Sequence, residues 1–300
     1  MLLLWAGDIL VFYALFGFIL ILFKNVSNRK IFKWAIWLTL VPTILISLMV
    51  TVFWLFSQIP EAKSAMAVGI QQGIDEMHQL VEQASAIYSG GTFSEIVSVR
   101  IEEYQALLPG ILFFYPVVLG MFLLGVWAAR KGVISNYIGN LPLFRKIFWW
   151  GLGIGIVTNT LYVIAFRHAT MIIPSGWSLL ATSMHTFGGV SFGLCYVSVI
   201  VLLFATRKSV GFKGLLAPVG RMALTNYLLH SIICAFLFHS YGFGLFGKVQ
   251  VWQGIVLTIV IFSAQILFSR WWLNHFQFGP LEWLWRCLTY LKFQPFRRDK

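Results

Sequence analysis

The chain has 300 residues, of which 59% are hydrophobic and only 11% charged. A soluble domain is nearer a quarter charged, so this composition excludes an ordinary soluble protein and fits a polytopic membrane protein. The net charge of +12 could suggest a nucleic-acid partner, but the basic residues cluster between apolar segments, where they record topology instead.

Seven apolar stretches reach the roughly 20 residues that a membrane crossing needs. They lie near 2–23, 34–57, 107–129, 147–166, 178–205, 222–241 and 250–270. The first contains Asp8, the only acidic residue inside a hydrophobic segment. A carboxylate at membrane depth costs about 2.5–3.5 kcal/mol on insertion scales, so it is expected to have a partner or a role. The connections alternate in charge. Eighteen of the 22 basic residues lie in the first, third and fifth links and in the tail, and only Lys63, Arg100, Arg167 and Lys248 lie on the other side. The positive-inside rule then places the N-terminus outside and the C-terminus in the cytoplasm.

The long connection over 58–106 carries seven of the ten acidic residues. Its Ile70, Ile74, Met77, Val81, Ala84 and Tyr88 recur at helical spacing. Ser89-Gly-Gly breaks that helix, and Thr92-Phe-Ser-Glu95 reads as a capping box opening a second one. An external helical hairpin is expected, either a solvated spacer or a lid that gates substrate.

Gly151-Leu-Gly-Ile-Gly155 and Gly189-Val-Ser-Phe-Gly193 read as helix-packing stripes. No strand precedes the first, so it is not a nucleotide loop. The sequence has no Walker loop, no HExxH and no nucleophile elbow. Three scattered cysteines give neither a disulfide framework nor metal spacing, so no metal is expected.

Polar residues recur in the outer halves of the segments: Asp8 in the first, Arg167 and His168 ending the fourth, His185 in the fifth and His239 ending the sixth. Asp8 paired with Arg167 or a histidine would lose its isolated-charge penalty. Met222, Asn226 and His230 follow i, i+4, i+8, so Asn226 and His230 share a face, with His230 near mid-membrane. Farther on, Pro280 suits the first turn of a helix and Glu282 its positive end, with Glu282 and Arg286 spaced i, i+4. This helix, within 274–300, reads as a cytoplasmic interfacial anchor followed by a basic tail. The sharper alternative is a polyanion site formed with Arg221 and Lys213, able to hold the phosphates of an acyl-CoA.

Trp5-x-Gly-Asp8-Ile-Leu with Tyr13-Ala-Leu-x-Gly17, Gly220-Arg-Met-Ala-Leu-Thr-Asn-Tyr227, and Gly279-Pro-Leu-Glu-Trp-Leu-Trp-Arg286 together resemble the YeiB-like family of bacterial membrane proteins, domain of unknown function 418. The resemblance covers essentially the whole chain. It implies kinship with transmembrane acyltransferases, a bacterial plasma-membrane location, and an upstream region with further helices and a Leu-Asp-x-Leu-Arg-Gly motif, so the chain reads as a fragment or as one with a misplaced start. In the related acyltransferases the catalytic histidine lies in that upstream region, and no catalytic residue carries over.

The expected architecture is an all-α, polytopic membrane bundle of about seven spans forming one domain. The expected function is acyl transfer to an envelope or extracytoplasmic acceptor. In that scheme Asp8, His185 and His230 are the candidate catalytic groups, and Trp5, Arg167, His168, Arg221, Asn226, Glu282 and Arg286 the candidate substrate-binding ones. Acyl-CoA is the implied donor, no cofactor is expected to be tightly bound, and membrane lipids surround the chain. Two other readings stay open: a transporter or exporter using Asp8, His185 and His230 as a proton or substrate path, and a non-catalytic membrane scaffold.

Overall fold

The computed structural model describes residues 10–169, 175–206 and 210–298. Among them it has ten α-helices and no strand, only an isolated antiparallel bridge between Phe276 and Arg297. In chain order the helices are α1 (Leu10–Leu22), α2 (Asn28–Phe56), α3 (Pro60–Gly90), α4 (Phe93–Arg130), α5 (Leu141–His168), α6 (Gly176–Ala205), α7 (Val210–Arg221), α8 (Ala223–Phe238), α9 (Val251–His275) and α10 (Pro280–Tyr290). Five stretches are long and apolar enough to cross a membrane: α2, Phe113–Arg130 of α4, α5, α6 and α9. The sixth candidate is the pair α7 and α8, bent by 81° at Met222. The first expected segment is described only from Leu10, where α1 is apolar throughout. The protein is an all-α membrane helix bundle, because in lipid a helix satisfies its backbone polar groups within its own segment.

Close contacts fall into two compact units. The larger comprises Ile9–Leu80 and Tyr104–Thr206. Its central contact is α5 against α6, and glycine makes it possible. A Cβ on Gly151 would lie 2.8 Å from the Ser191 carbonyl and 3.2 Å from Cys195 Cβ, and one on Gly155 would overlap the Phe192 ring. The first glycine stripe is therefore a packing surface, as its spacing predicts. The second is rotated from its expected role. Gly188 and Cys195 are among the buried α6 positions, and a Cβ on Gly188 would lie 2.7 Å from Asn159 Nδ2. Gly189 and Gly193 face open space. The physical reason is angular: the buried stripe of α6 runs through Ala181, Gly188, Cys195 and Ser198, and Gly189 lies about 100° round the helix from Gly188.

Ser175 opens α6 with a capping box: its Oγ accepts from Ser178 N at 3.1 Å, and Ser178 Oγ accepts from Ser175 N at 2.7 Å. At the other side of this unit Arg130, the last residue of α4, closes the α1–α2 turn. Its guanidinium donates to the carbonyls of Val26 (2.7 Å), Lys24 (2.8 Å) and Phe23 (3.0 Å). A cation just past the carbonyl end of α1 binds the carbonyls of the turn and opposes the helix dipole. Two links that the charge pattern places on one side of the membrane are thus tied together.

The smaller unit includes 81–103 and 207–300. The turn at Gly90-Gly91 folds the end of α3 against the start of α4, burying Ala84, Tyr88, Ile96 and Val99 with Phe246 packed on them. Thr92 N and Oγ1 donate to Glu95 Oε2 at 2.7 and 2.8 Å, so the expected capping box is present, and these bonds hold the exposed Glu95 carboxyl below its usual pKa. The helix it opens is one with the third apolar stretch: α4 runs unbroken over 38 residues. The loop after α8 closes on this hairpin, with Ser240 N donating to the Tyr88 carbonyl at 3.0 Å and Ser240 Oγ to that of Gly91.

The tail folds back instead of trailing. Gln277 N donates to the Phe296 carbonyl at 3.0 Å and Arg298 N to that of His275 at 3.1 Å. Phe296 packs among Trp272, Phe276 and Trp283.

The close approach of α5 and α6 gives a direct prediction. Gly155→Ala should lower stability by about 1–3 kcal/mol through overpacking, whereas Gly153→Ala, with no atom within 4 Å of the added Cβ, should be neutral or stabilising by up to about 1 kcal/mol. Thermal unfolding of the purified variants in one detergent distinguishes them.

Candidate functional site

Two of the motifs singled out in the sequence meet in the smaller unit. α7 ends at Arg221, Met222 is fully buried at the bend, and α8 starts at Ala223. The first N–H groups of a helix lack intrahelical acceptors, and Met222 has no side chain able to cap them. Glu282 supplies the cap from elsewhere: its Oε1 accepts from Thr225 N at 3.0 Å and its Oε2 from Thr225 Oγ1 at 2.5 Å. The exchange is reciprocal, because Thr225 Oγ1 accepts from Leu281 N, in the first turn of α10, at 3.2 Å. One carboxylate therefore serves two helix N-termini, both of which favour negative charge. Gly279 allows the approach, since a Cβ there would overlap the Glu282 carboxylate. Arg221 donates to the Gln277 carbonyl at 3.1 Å and ties the end of α7 to the same turn.

This arrangement corrects one expectation. Glu282 does not pair with Arg286, because both carboxylate oxygens are directed at Thr225, and the Arg286 guanidinium lies 4.5 Å over the Phe278 ring. Asn226 and His230 share a face of α8, as their spacing predicts, but make different contacts. Asn226 is buried against α9, where its Nδ2 donates to Ser269 Oγ at 2.8 Å and its carbonyl accepts from Gln265 Nε2 at 2.8 Å. His230, one turn on and about 40° round the same helix, lines a cavity.

That cavity, of about 530 Å³, is the strongest candidate site. His230, Ser231, Cys234 and Phe238 of α8 line it together with Tyr88, Arg100, Glu103, His239 and Phe246. Arg100 is 1% exposed. A buried guanidinium needs acceptors, and its Nη2 lies 2.9 Å from His239 Nε2. Arginine only donates, so His239 Nε2 is the acceptor and the imidazole is neutral. Its Nδ1–H then donates to the Ala235 carbonyl at 2.8 Å. Burial, with the Arg100 charge as a lesser cause, pushes the His239 pKa down, which agrees with that tautomer. Beside them Tyr88 Oη donates to Glu103 Oε2 at 2.5 Å. Burial and this bond raise the phenol's pKa, so Tyr88 stays a proton donor. Among the described residues none hydrogen-bonds to His230, whose ring nitrogens can meet a ligand. The cavity therefore offers a fixed cation, an available imidazole and a phenol–carboxylate pair beside apolar walls, which is a combination suited to an amphiphilic molecule with an acyl or anionic group.

The other predicted residues are dispersed. Asp8 and Trp5 lie outside the described residues, as does the supposed pairing of Asp8. Arg167 and His168 end α5, with the His168 ring 4.9 Å from Trp177. His185, on α6, lies 5.2 Å from the Tyr162 ring in the larger unit. The side chain of Lys213 is likewise outside the description. Sequence reasoning did not select Tyr88, Arg100 or Glu103. A signal existed, since Ile96, Val99, Arg100 and Glu103 follow the i, i+3, i+4, i+7 spacing of a buried helical face.

A family model described as "Protein of unknown function (DUF418)" matches residues 128–292. The chain is 31% identical over 303 aligned residues to "Uncharacterized protein YxaH" of Bacillus subtilis (strain 168), covering 98% of this chain and 68% of that protein. It is 31% identical over 177 residues to "Uncharacterized protein YeiB" of Escherichia coli (strain K12), covering 57% of this chain and 43% of that one. No solved structure matches.

The cross-cap predicts that Glu282→Ala lowers unfolding stability by about 1–3 kcal/mol, with Glu282→Gln retaining part of it. Denaturation in detergent measures both. The Arg100–His239 contact predicts a pH dependence. The folded site holds the His239 pKa below its unfolded value, so its stabilisation is complete above about pH 6.5 and is lost as pH falls toward the folded pKa, because only the unfolded chain takes up the proton. Melting temperature followed from pH 7.5 to 5.5, near the working range of histidine, should fall more steeply for the wild type than for His239→Asn.

Proposed function

The chain belongs to the YeiB-like DUF418 family, and from that premise we propose that it acts in transmembrane acyl transfer to an envelope or extracytoplasmic acceptor. The observation that carries this reading is the placement of Arg100 and His230 in one cavity with apolar walls. Acyl transfer to a hydroxyl needs a base for the acceptor proton and a cation or donor for the oxyanion. His230 takes the hydroxyl proton, and the alkoxide oxygen bonds to the acyl carbonyl carbon of a thioester. Arg100 stabilises the tetrahedral oxyanion. The carbon–sulfur bond then breaks, and His230 returns the proton to the leaving thiolate. Tyr88 and Glu103 orient the acceptor.

Acyl-CoA is the donor in this reading, approaching from the Arg221 end of α8. Arg221 ends α7 just before the bend, and His230 lies seven residues into α8 from Ala223, about 10 Å along that helix, so the acyl group reaches the cavity while the phosphates stay near the basic links. The charge pattern supports a plasma-membrane protein with the hairpin outside and the C-terminus in the cytoplasm. His185 is not among the described residues that line this cavity, and His230 carries the catalytic role in this reading.

A second reading, movement of a small solute, draws support from the 81° break between α7 and α8, because transporter sites are often built at interrupted helices. The two differ in product. Full-length protein in nanodiscs with radiolabelled acetyl-CoA and an envelope extract should yield a covalently labelled acceptor, reduced about 100-fold or more by His230→Ala, as loss of a general base predicts. Arg100→Met should act similarly. A label that accumulates inside vesicles without a covalent product, or product formation unchanged in both variants, overturns acyl transfer.

A further inference from the structure

The larger unit holds a second site that the proposed reaction does not use. One cavity of about 420 Å³ and another of about 640 Å³ share four lining residues, Phe114, Val117, His185 and Thr186. The first is the more polar, with Thr43, Ser178, Thr182 and the Tyr162–His185 ring pair in its lining. The second is apolar and runs along α6 toward Val197. Gly125, Gly189 and Gly193 line it, and a Cβ on any of them would meet nothing within 4 Å. These glycines leave space where the neighbouring Gly188 and Gly151 fill it. Among the described residues, neither cavity is lined by a side chain with a fixed charge.

We infer that these two adjoining cavities together hold one aliphatic chain of a neutral, hydroxyl- or carbonyl-bearing lipid, with its head among Thr182, Ser178 and His185 and its chain along Gly189 and Gly193. Three features select that occupant. The two cavities differ in polarity, the first lined by several hydroxyl-bearing side chains and the second mostly by apolar ones, as the two parts of an amphiphile require. The apolar stretch from His185 to Val197 is twelve residues, about 18 Å, comparable to the roughly 15 Å half-thickness of a bilayer's hydrocarbon core and so to one lipid chain. The head region offers hydroxyl groups and an imidazole, and among the described residues it has no arginine or lysine of the kind that favours a phosphate. The inference stands independently of acyl transfer.

The test uses the full chain in nanodiscs with a monoacylglycerol bearing a diazirine on its chain, and a phosphatidylglycerol bearing the same group. Photolysis and peptide mapping should place the neutral probe on the α4 and α6 residues of the groove. The double variant G189L/G193L should cut that labelling about tenfold, because two leucine side chains fill the space the chain occupies. His185→Ala should weaken it less. If the double variant does not fold, Gly125→Leu, which fills the groove from α4, replaces it. Labelling spread evenly over lipid-facing positions such as Ile200 and Leu203 and indifferent to these substitutions overturns the inference, leaving surrounding bilayer lipid only. Equal labelling of the groove by the anionic probe overturns its selectivity for a neutral head.

Discussion

The carboxylate of Glu282 accepts from the first turn of α8 while its partner Thr225 accepts from the first turn of α10. The bend at Met222 depends on this exchange. A helix broken by 81° exposes N–H groups that lipid cannot satisfy, and the local sequence Arg-Met-Ala-Leu provides no capping side chain of its own. The acceptor therefore comes from 57 residues later in the chain. Once the start of α8 is fixed, its helical repeat fixes the rest: Asn226 turns into the α9 contact, and His230 and Cys234 turn into the cavity.

The cavity in the smaller unit depends on a different balance. Burying Arg100 would be strongly unfavourable without acceptors, and His239 can serve only as a neutral imidazole. The loop after α8 holds His239 in place by bonding to the end of α3 through Ser240. The acidic hairpin and the last part of the chain thus build one polar wall from segments more than a hundred residues apart. A cation held this way is preorganised, which is the property that lets it act on a developing charge without rearrangement.

Most of the architecture was legible in the sequence, because apolar length and the absence of alternative backbone solutions in lipid dictate helices. The Thr92–Glu95 capping box and the Gly151–Gly155 packing stripe were legible for the same reason, being local chemistry. What was not legible depends on partners far along the chain. Gly189 and Gly193 have the spacing of a packing motif, but which face of α6 meets α5 is decided by Gly188 and Cys195. Glu282 and Arg286 have the spacing of an ion pair, but Thr225 outcompetes Arg286 for the carboxylate. Arg100 looked like a minority charge in an exposed acidic segment, and only the fold brings His239 to it.

The folded-back tail carries a consequence of its own. Arg298 is anchored to the carbonyls of Leu273 and His275, and Gln277, two residues on, precedes the turn that Arg221 grips. The chain's last described residues are therefore fastened beside the entrance to α7 and α8. A fluorescent or enzymatic reporter attached there would report which face of the bilayer the Arg221 end occupies, and it would do so from a rigid mount rather than from the end of a free tether.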